Sequence, residues 1–201
     1  MENNEMDAPQ RSELRSQKYR ILSPELDPLR IGSGWAVEDL SKPQVIIEST
    51  FGDSHPGSVG LLDVVEAVRE GVASAGGHGA RYFTTDVCDG EAQGHDGINY
   101  SLPSRDAIAN MIEIHANATP FDAGVFVASC DKGMPANLMA VGRLNIPSVV
   151  VPGGVMDAPT DLSLEQLGMY SAQYERGEIG LEEFEFYKHN ACPSCGACSF
   201  M

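Results

Sequence analysis

Basic residues are scarce in this chain. Its 13 Lys and Arg stand against 29 Asp and Glu, a formal net charge of −16 over 201 residues. So acidic a composition excludes the clustered cations on which non-specific nucleic-acid binding depends, and it implies a solvated acidic surface. Long apolar runs are missing too. No stretch reaches the roughly 18 consecutive apolar residues of a membrane span. The polar opening from Met1 to Gln17 lacks the apolar segment of a secretion signal. Internal repeats and low-complexity tracts are also absent. A cytoplasmic protein with neither a nucleic-acid nor a membrane partner is the expectation. The 42% of hydrophobic residues is enough to bury one core.

The five cysteines are Cys88, Cys130, Cys192, Cys195 and Cys198. In a reducing compartment such residues serve as metal ligands or buried thiols more often than as disulfides. Three of them crowd the last ten residues. The chain stops there without a polar tail or a capped helix, which reads as a truncated fragment.

Residues 1–42 read as a polar arm, interrupted by Pro9, Pro24 and Pro28 and closed by Pro43. Regular patterning starts at 43 and runs to 201. Strands are predicted over 44–49, 80–84, 124–128 and 148–151. Between them Leu61, Leu62, Val64, Val65, Val68 and Val72 recur at helical spacing, with Gly76-Gly77 as the stop. Ala107, Ile108, Met111, Ile112 and His115 mark a second helix, with Ser104 placed to cap it. A short helix holding Leu138, Met139, Val141 and Leu144 and a further one over 162–176 complete the pattern. Alternating strands and helices predict an α/β three-layer sandwich with a mostly parallel sheet. Sheets of this kind bind ligands beyond the carboxyl ends of their strands. The polar residues after the four strands are Ser49 to His55, Asp86 to Asp89, Cys130-Asp131-Lys132 and Pro152-Gly153-Gly154, so all four clusters should share one edge.

Three constellations carry chemistry. Cys192-Pro193-Ser194-Cys195-Gly196-Ala197-Cys198 spaces three cysteines as a [4Fe–4S] loop does. Zinc with His189 as a fourth ligand, or three buried thiols, fits the same spacing. Cys130-Asp131-Lys132 puts a soft thiolate beside a hard carboxylate, which suits iron–sulfur on one atom and Mg²⁺ on the other. A buried Cys beside a surface ion pair is the plain alternative. The run from Asp86 to Gly97 is rich in Gly and acids, as a hard-cation loop is, but it lacks EF-hand spacing.

Together these runs resemble a known family. Asp89-Gly90, Gly94-His95, Gly97 and Tyr100 to Arg105 are similar to its first signature. Ser129-Cys130-Asp131-Lys132, Pro135, Leu138-Met139-Ala140 and Arg143 to Pro147 are similar to its second. Ala191 to Cys198 is similar to its third. The family is that of dihydroxy-acid and phosphogluconate dehydratases, and the resemblance covers residues 43–201. It implies the N-terminal domain of a two-domain hydro-lyase that converts a 2,3-dihydroxy acid or sugar acid to a 2-keto acid. A dihydroxy acid of branched-chain amino-acid synthesis is favoured over gluconate, xylonate or 6-phosphogluconate, and a homodimer is the expected assembly. By resemblance Cys130 and Cys198 are cluster ligands, and Cys195 is an extra one in members with the Cys-Pro-x-Cys form. Asp89 and Asp131 are Mg²⁺ ligands, and Lys132 is the lysine that binds Mg²⁺ once carbamylated. The base and a further Mg²⁺ ligand belong to the second domain, so residues 1–201 alone should be inactive. One position departs from part of the family. Members holding a [2Fe–2S] cluster carry Pro-Cys-Asn where this chain has Pro56-Gly57-Ser58, so [4Fe–4S] is favoured here. Two readings from other classes are a ferredoxin-like electron carrier and a zinc-stabilised interaction module.

Overall fold

The computed structural model describes residues 14–157 and 162–197. In chain order its elements are α1 (Arg15–Leu22), α2 (Leu26–Gly32), β1 (Gln44–Ser49), α3 (Pro56–Val59), α4 (Leu61–Ser74) and β2 (His78–Phe83). Then come α5 (Asp89–Ala92), α6 (Ser101–Ala118), β3 (Ala123–Ala128), α7 (Gly133–Leu144), β4 (Ser148–Pro152), α8 (Leu167–Glu175) and α9 (Leu181–Asn190). The strands form one sheet in the order β2-β1-β3-β4, and every pairing is parallel. No helix among the described residues is long and apolar enough to cross a membrane.

Strand alternation builds the three layers. Ile46 and Phe126 point to one face, where they pack with Ile108, Ile112 and Ala116 of α6 and Ala136 and Ala140 of α7. Ile47 and Val127, one residue on, point to the other face and meet Leu61 and Val65 of α4. Both faces are covered, which is why β1 and β3 read as unbroken apolar runs. A carboxylate enters this core. Glu48 is fully buried on the α6 face, where Thr84 Oγ1 donates to it at 2.8 Å and His115 Nδ1 lies 3.1 Å away. Burial pushes the Glu48 carboxyl up, and the bonds to Thr84 and His115 partly offset it.

Two local expectations are corrected. Ser104 does not cap α6. The helix starts at Ser101, because Pro103 is tolerated in a first turn, and Ser104 Oγ instead donates back to the Ser101 carbonyl at 2.6 Å. α7 holds Leu138, Met139, Val141 and Leu144 as expected; it begins at Gly133 and ends at Leu144, followed by Asn145 in the left-handed conformation. The stretch 162–176 divides into a 3₁₀ turn (Leu164–Gln166) and α8. α9 had no counterpart in the apolar pattern. Its signal was electrostatic, with Glu182 and Glu183 in the first turn and Lys188 and His189 in the last.

The described part of the arm is helical and docked. Asp122, just before β3, accepts from Ser16 N at 2.8 Å, from Ser16 Oγ at 2.6 Å and from Gln44 N at 2.7 Å. The Arg30 guanidinium lies 4.1 Å from the Trp35 ring centre and 5.1 Å from that of Phe121. Polar contacts and a cation–π pair hold this segment in place of an apolar stripe. Asp122→Ala should therefore release α1 and leave two backbone N–H groups without an acceptor. We expect a loss of about 2–4 kcal/mol in urea unfolding. A loss under about 0.5 kcal/mol would mean that the arm is not held by Asp122.

Candidate functional site

The strand order places a topological switch point between β1 and β3. The chain leaving β1 turns toward β2 and the chain leaving β3 turns toward β4, which opens a crevice beyond their carboxyl ends. The strand-end clusters meet there. His55, from the loop after β1, hydrogen-bonds Asp86, from the loop after β2. Lys132, from the loop after β3, reaches Asp89. The stretch after β4 joins through Val155, which bridges to Ala197.

Cys130 sits at the centre with φ 62°, a left-handed backbone that costs a non-glycine residue about 1–2 kcal/mol. Its thiol packs against the start of α3. A Cβ added at Gly57 would lie 2.1 Å from Cys130 Sγ, so only glycine lets the sulfur approach this closely. One turn further on, a Cβ at Gly60 would lie 3.3 Å from Cys195 Sγ. Both sulfurs thus face the same short helix across small residues. The segment carrying Cys195 is fixed by backbone bonds: Gly196 N to Pro56 O at 2.7 Å, Ala197 N to Gly154 O at 3.0 Å and Met156 N to Ala197 O at 2.7 Å. Cys192 lies in the same segment, its sulfur 3.6 Å from Met156 Sδ. Burial pushes the Cys192 thiol up, and neighbouring Cys88 adds to this. Cys198 lies outside the described residues.

Gly57→Ala follows as a prediction. The atom in the way ends a flexible side chain, so the Cys130 thiol should swing aside while the fold stays intact. Iron and sulfide retained after anaerobic reconstitution should fall at least about fivefold, with little change in the urea midpoint. Unchanged metal content would show that this placement of Cys130 is not required.

The second half of the site is a clasp of charges. Lys132 Nζ donates to Asp89 Oδ2 at 2.6 Å and to Asp131, while Ser101 Oγ donates to the other Asp89 oxygen. Burial works against charge on Asp89, but the bonds from Lys132 and Ser101 outweigh it and hold the carboxyl below its usual range. Burial likewise opposes the ammonium, and the contacts with Asp131 and Asp89 outweigh it to raise Lys132. Two carboxylates from different loops therefore converge on one cationic atom. Among the described residues, no three His, Cys, Asp or Glu side chains gather closely enough to hold a metal ion by themselves. A third oxygen donor would have to come from Lys132 or from elsewhere.

Behind Cys130 stands a buried pair, His55 and Asp86, which the sequence offers only as strand-end polar residues and, for Asp86, as the start of the acidic Gly-rich run. His55 Nε2 lies 3.0 Å from Asp86 Oδ1 and 3.1 Å from Ser58 Oγ, whose hydroxyl donates to the Gly52 carbonyl at 2.9 Å. The bond to Asp86 raises His55, while burial pushes Asp86 up. Four buried atoms here have no hydrogen-bond partner among the described residues: His55 Nδ1, Asp86 Oδ2, Thr50 Oγ1 and Ser129 Oγ. Orphans of this kind gathered at one crevice mark a place built for something else to bind. Ser101, the partner of Asp89, was also missed. In the sequence it stands inside the first signature with no spacing that links it to Asp89.

Residues 42–201 match the model of the dihydroxy-acid/6-phosphogluconate dehydratase N-terminal family. Among curated relatives, the dihydroxy-acid dehydratase of Clostridium beijerinckii is 44% identical over 176 residues, which is 84% of this chain and 31% of the relative. That of Dehalococcoides mccartyi is 42% identical over 176 residues, covering 84% of this chain and 32% of the relative. That of Nitratidesulfovibrio vulgaris is 40% identical over 172 residues, covering 84% and 31%. The chain thus spans about a third of the length of these relatives. With a match over most of its length, the chain belongs to the dihydroxy-acid/6-phosphogluconate dehydratase family, within the family's N-terminal region.

Proposed function

We propose that this chain is the cluster- and magnesium-binding part of a hydro-lyase that takes water from a 2,3-dihydroxy carboxylic acid and yields a 2-keto acid. A dihydroxy acid of branched-chain amino-acid synthesis is the favoured substrate, as the relatives' name, dihydroxy-acid dehydratase, supports. The observation that carries the reading is the meeting of two kinds of donor at one switch point. Sulfurs of Cys130 and Cys195 face α3, and carboxylates of Asp89 and Asp131 close on Lys132. Soft sulfur beside hard oxygen suits two different metals.

The residues fit both groups. Cys130, Cys195 and Cys198 would hold an iron–sulfur cluster. The [4Fe–4S] type is favoured over [2Fe–2S], since Gly57 has no ligating atom and Cys130 Sγ occupies the space where its Cβ would stand. Asp89, Asp131 and Lys132 would hold Mg²⁺, with Lys132 as its carbamate. Carbamylation turns an ammonium that competes for the carboxylates into an oxygen donor that joins them. When bound, the two groups supply Lewis acidity to the departing C3 hydroxyl and to the charge that builds at the C2 oxygen. In the reaction the C3–O bond breaks and the C2 proton is removed, together making one water. The enol that results takes a proton at C3 and becomes the keto acid. The contribution of this chain is to hold the donors in register, through the strained backbone of Cys130, the backbone bonds of residues 196–197 and the clasp around Lys132. The proton-accepting base is assigned to the second domain of the family, outside these residues. A homodimer in the cytoplasm is part of the same reading.

A sugar acid is the second candidate substrate, because Cys88 to Gly94 and Val151 to Gly154 look more like pentonate dehydratases. The test of the metal reading is anaerobic purification of the protein expressed from its complete coding sequence, with absorption spectrum, iron, sulfide and zinc analysis. A brown protein with near-equal iron and sulfide is expected. A colourless protein with one zinc would replace the reading with a zinc module. A reversible one-electron couple with no need for Mg²⁺ would replace it with an electron carrier.

A further inference from the structure

The buried stripe of α6 carries a cation. Ser101, Ile108, Ala109, Ile112 and Ala116 make that stripe. Arg105 stands four residues after Ser101 and four before Ala109, so it lies in the same row. Side chains on a helix lean toward its N-terminus. For Arg105 that is the end where Ser101 Oγ donates to Asp89, beside the Lys132 clasp. The guanidinium is thus directed toward the crevice. The described residues leave its donors poorly matched. Arg105 Nε is buried and has no hydrogen-bond partner among them. One Nη lies 3.5 Å from Asp106 Oδ2, whereas Arg20 and Arg176 hold their carboxylates at 2.6 Å. Asp106 is exposed, so this long pair contributes little. An enclosed N–H without an acceptor is costly, and it marks a place where an acceptor arrives. The Arg105 side chain is 35% exposed, so a ligand in the crevice can reach it.

We propose that Arg105 binds the carboxylate of the substrate acid, through two parallel N–H···O bonds from Nε and one Nη. This rests on the hydro-lyase reading given above. In that reading Lys132 gives up its positive charge and joins Asp89 and Asp131 as an oxygen donor. The protein side of the crevice is then negative toward an anionic substrate. Arg105 supplies a fixed positive charge there, because a guanidinium stays protonated at any working pH. Its planar fork also sets the orientation in which the carboxylate presents C2 and C3. The carboxylate is not altered in the reaction, so the contact acts on binding more than on the chemical step.

The test uses the anaerobic holoprotein expressed from its complete coding sequence. Calorimetric titration is made with the 2-keto acid it releases, 2-ketoisovalerate for the favoured substrate, and with the uncharged amide of that acid. Arg105→Met should bind the keto acid at least about 30-fold more weakly than wild type and the amide about equally, with iron, sulfide and Mg²⁺ content unchanged. KM for the dihydroxy acid should rise by a similar factor, while kcat falls less. A second measurement needs no variant to fold. Phenylglyoxal should label Arg105 in the wild-type protein, as read by peptide mass spectrometry, and the keto acid should protect it where the amide does not. Equal keto-acid affinity in wild type and Arg105→Met would overturn the role of Arg105. So would an Arg105 that is never labelled, or one that the keto acid leaves unprotected; its guanidinium would then belong to an acceptor in the second domain. A wild-type holoprotein that releases no keto acid from any dihydroxy or sugar acid would overturn the hydro-lyase reading, and this inference with it.

Discussion

Lys132→Arg is expected to leave a folded, cluster-bearing protein with turnover reduced more than about 100-fold. The expectation comes from the clasp. Arg keeps a permanent positive charge and can still bridge Asp89 and Asp131, so the ion pairs at 2.6 Å and shorter should survive in some form. What Arg cannot do is become a carbamate and add an oxygen to those two carboxylates. If Lys132 acted only as an ammonium, Arg would be the most conservative replacement and activity would persist. A companion experiment needs no variant. Metal loading of the wild-type protein with CO₂ and bicarbonate removed should lower activity, and restoring them should recover it. Wild-type turnover in Lys132→Arg would remove the carbamate and leave Lys132 as a simple ion-pair partner.

Cys130→Ser and Cys198→Ser should each reduce iron and sulfide to background and abolish turnover. Cys130 holds a strained backbone to present its thiol against Gly57, and a serine there keeps the shape but offers a poor ligand for iron. Cys198 follows directly on Ala197, whose backbone is bonded on both sides at the crevice. Its assignment rests on the family resemblance, since it lies outside the described residues. Cys88→Ser should be milder, as Cys88 matches no ligand position. Loss of the cluster in Cys88→Ser alone would show the ligand set to be wrong.

Apolar periodicity made most of the fold legible. The expected strands lie within a residue or two of the observed ones, since β1 and β3 are buried runs and β4, half-exposed at the sheet edge, is a run of valines, each bounded by turn residues. The shared edge followed from alternation alone and did not depend on the family. Periodicity failed wherever polar contacts set the structure. α1 and α2 dock through Asp122 and Arg30, α9 is specified by end charges, and α6 opens with a proline in its first turn. Within the site, Asp89, Asp131 and Lys132 are legible in the sequence, and they meet in the structure. His55, Asp86 and Ser101 were not assigned roles, because a pair that spans 31 residues of sequence and a serine 12 residues from its aspartate leave no local spacing to read. Sequence could say that Gly57 cannot ligate. Only the structure could add that the Cys130 sulfur uses the space this glycine leaves.

The most direct measurement of the central claim is the release of 2-keto acid. The protein expressed from its complete coding sequence, loaded anaerobically with iron, sulfide and Mg²⁺, would be offered 2,3-dihydroxyisovalerate, gluconate, xylonate and 6-phosphogluconate in parallel. The account predicts keto acid from 2,3-dihydroxyisovalerate ahead of the sugar acids, with turnover lost when either metal is withheld. Keto acid formed at an undiminished rate by metal-free protein, or none formed from any of the four by a fully loaded one, would contradict it.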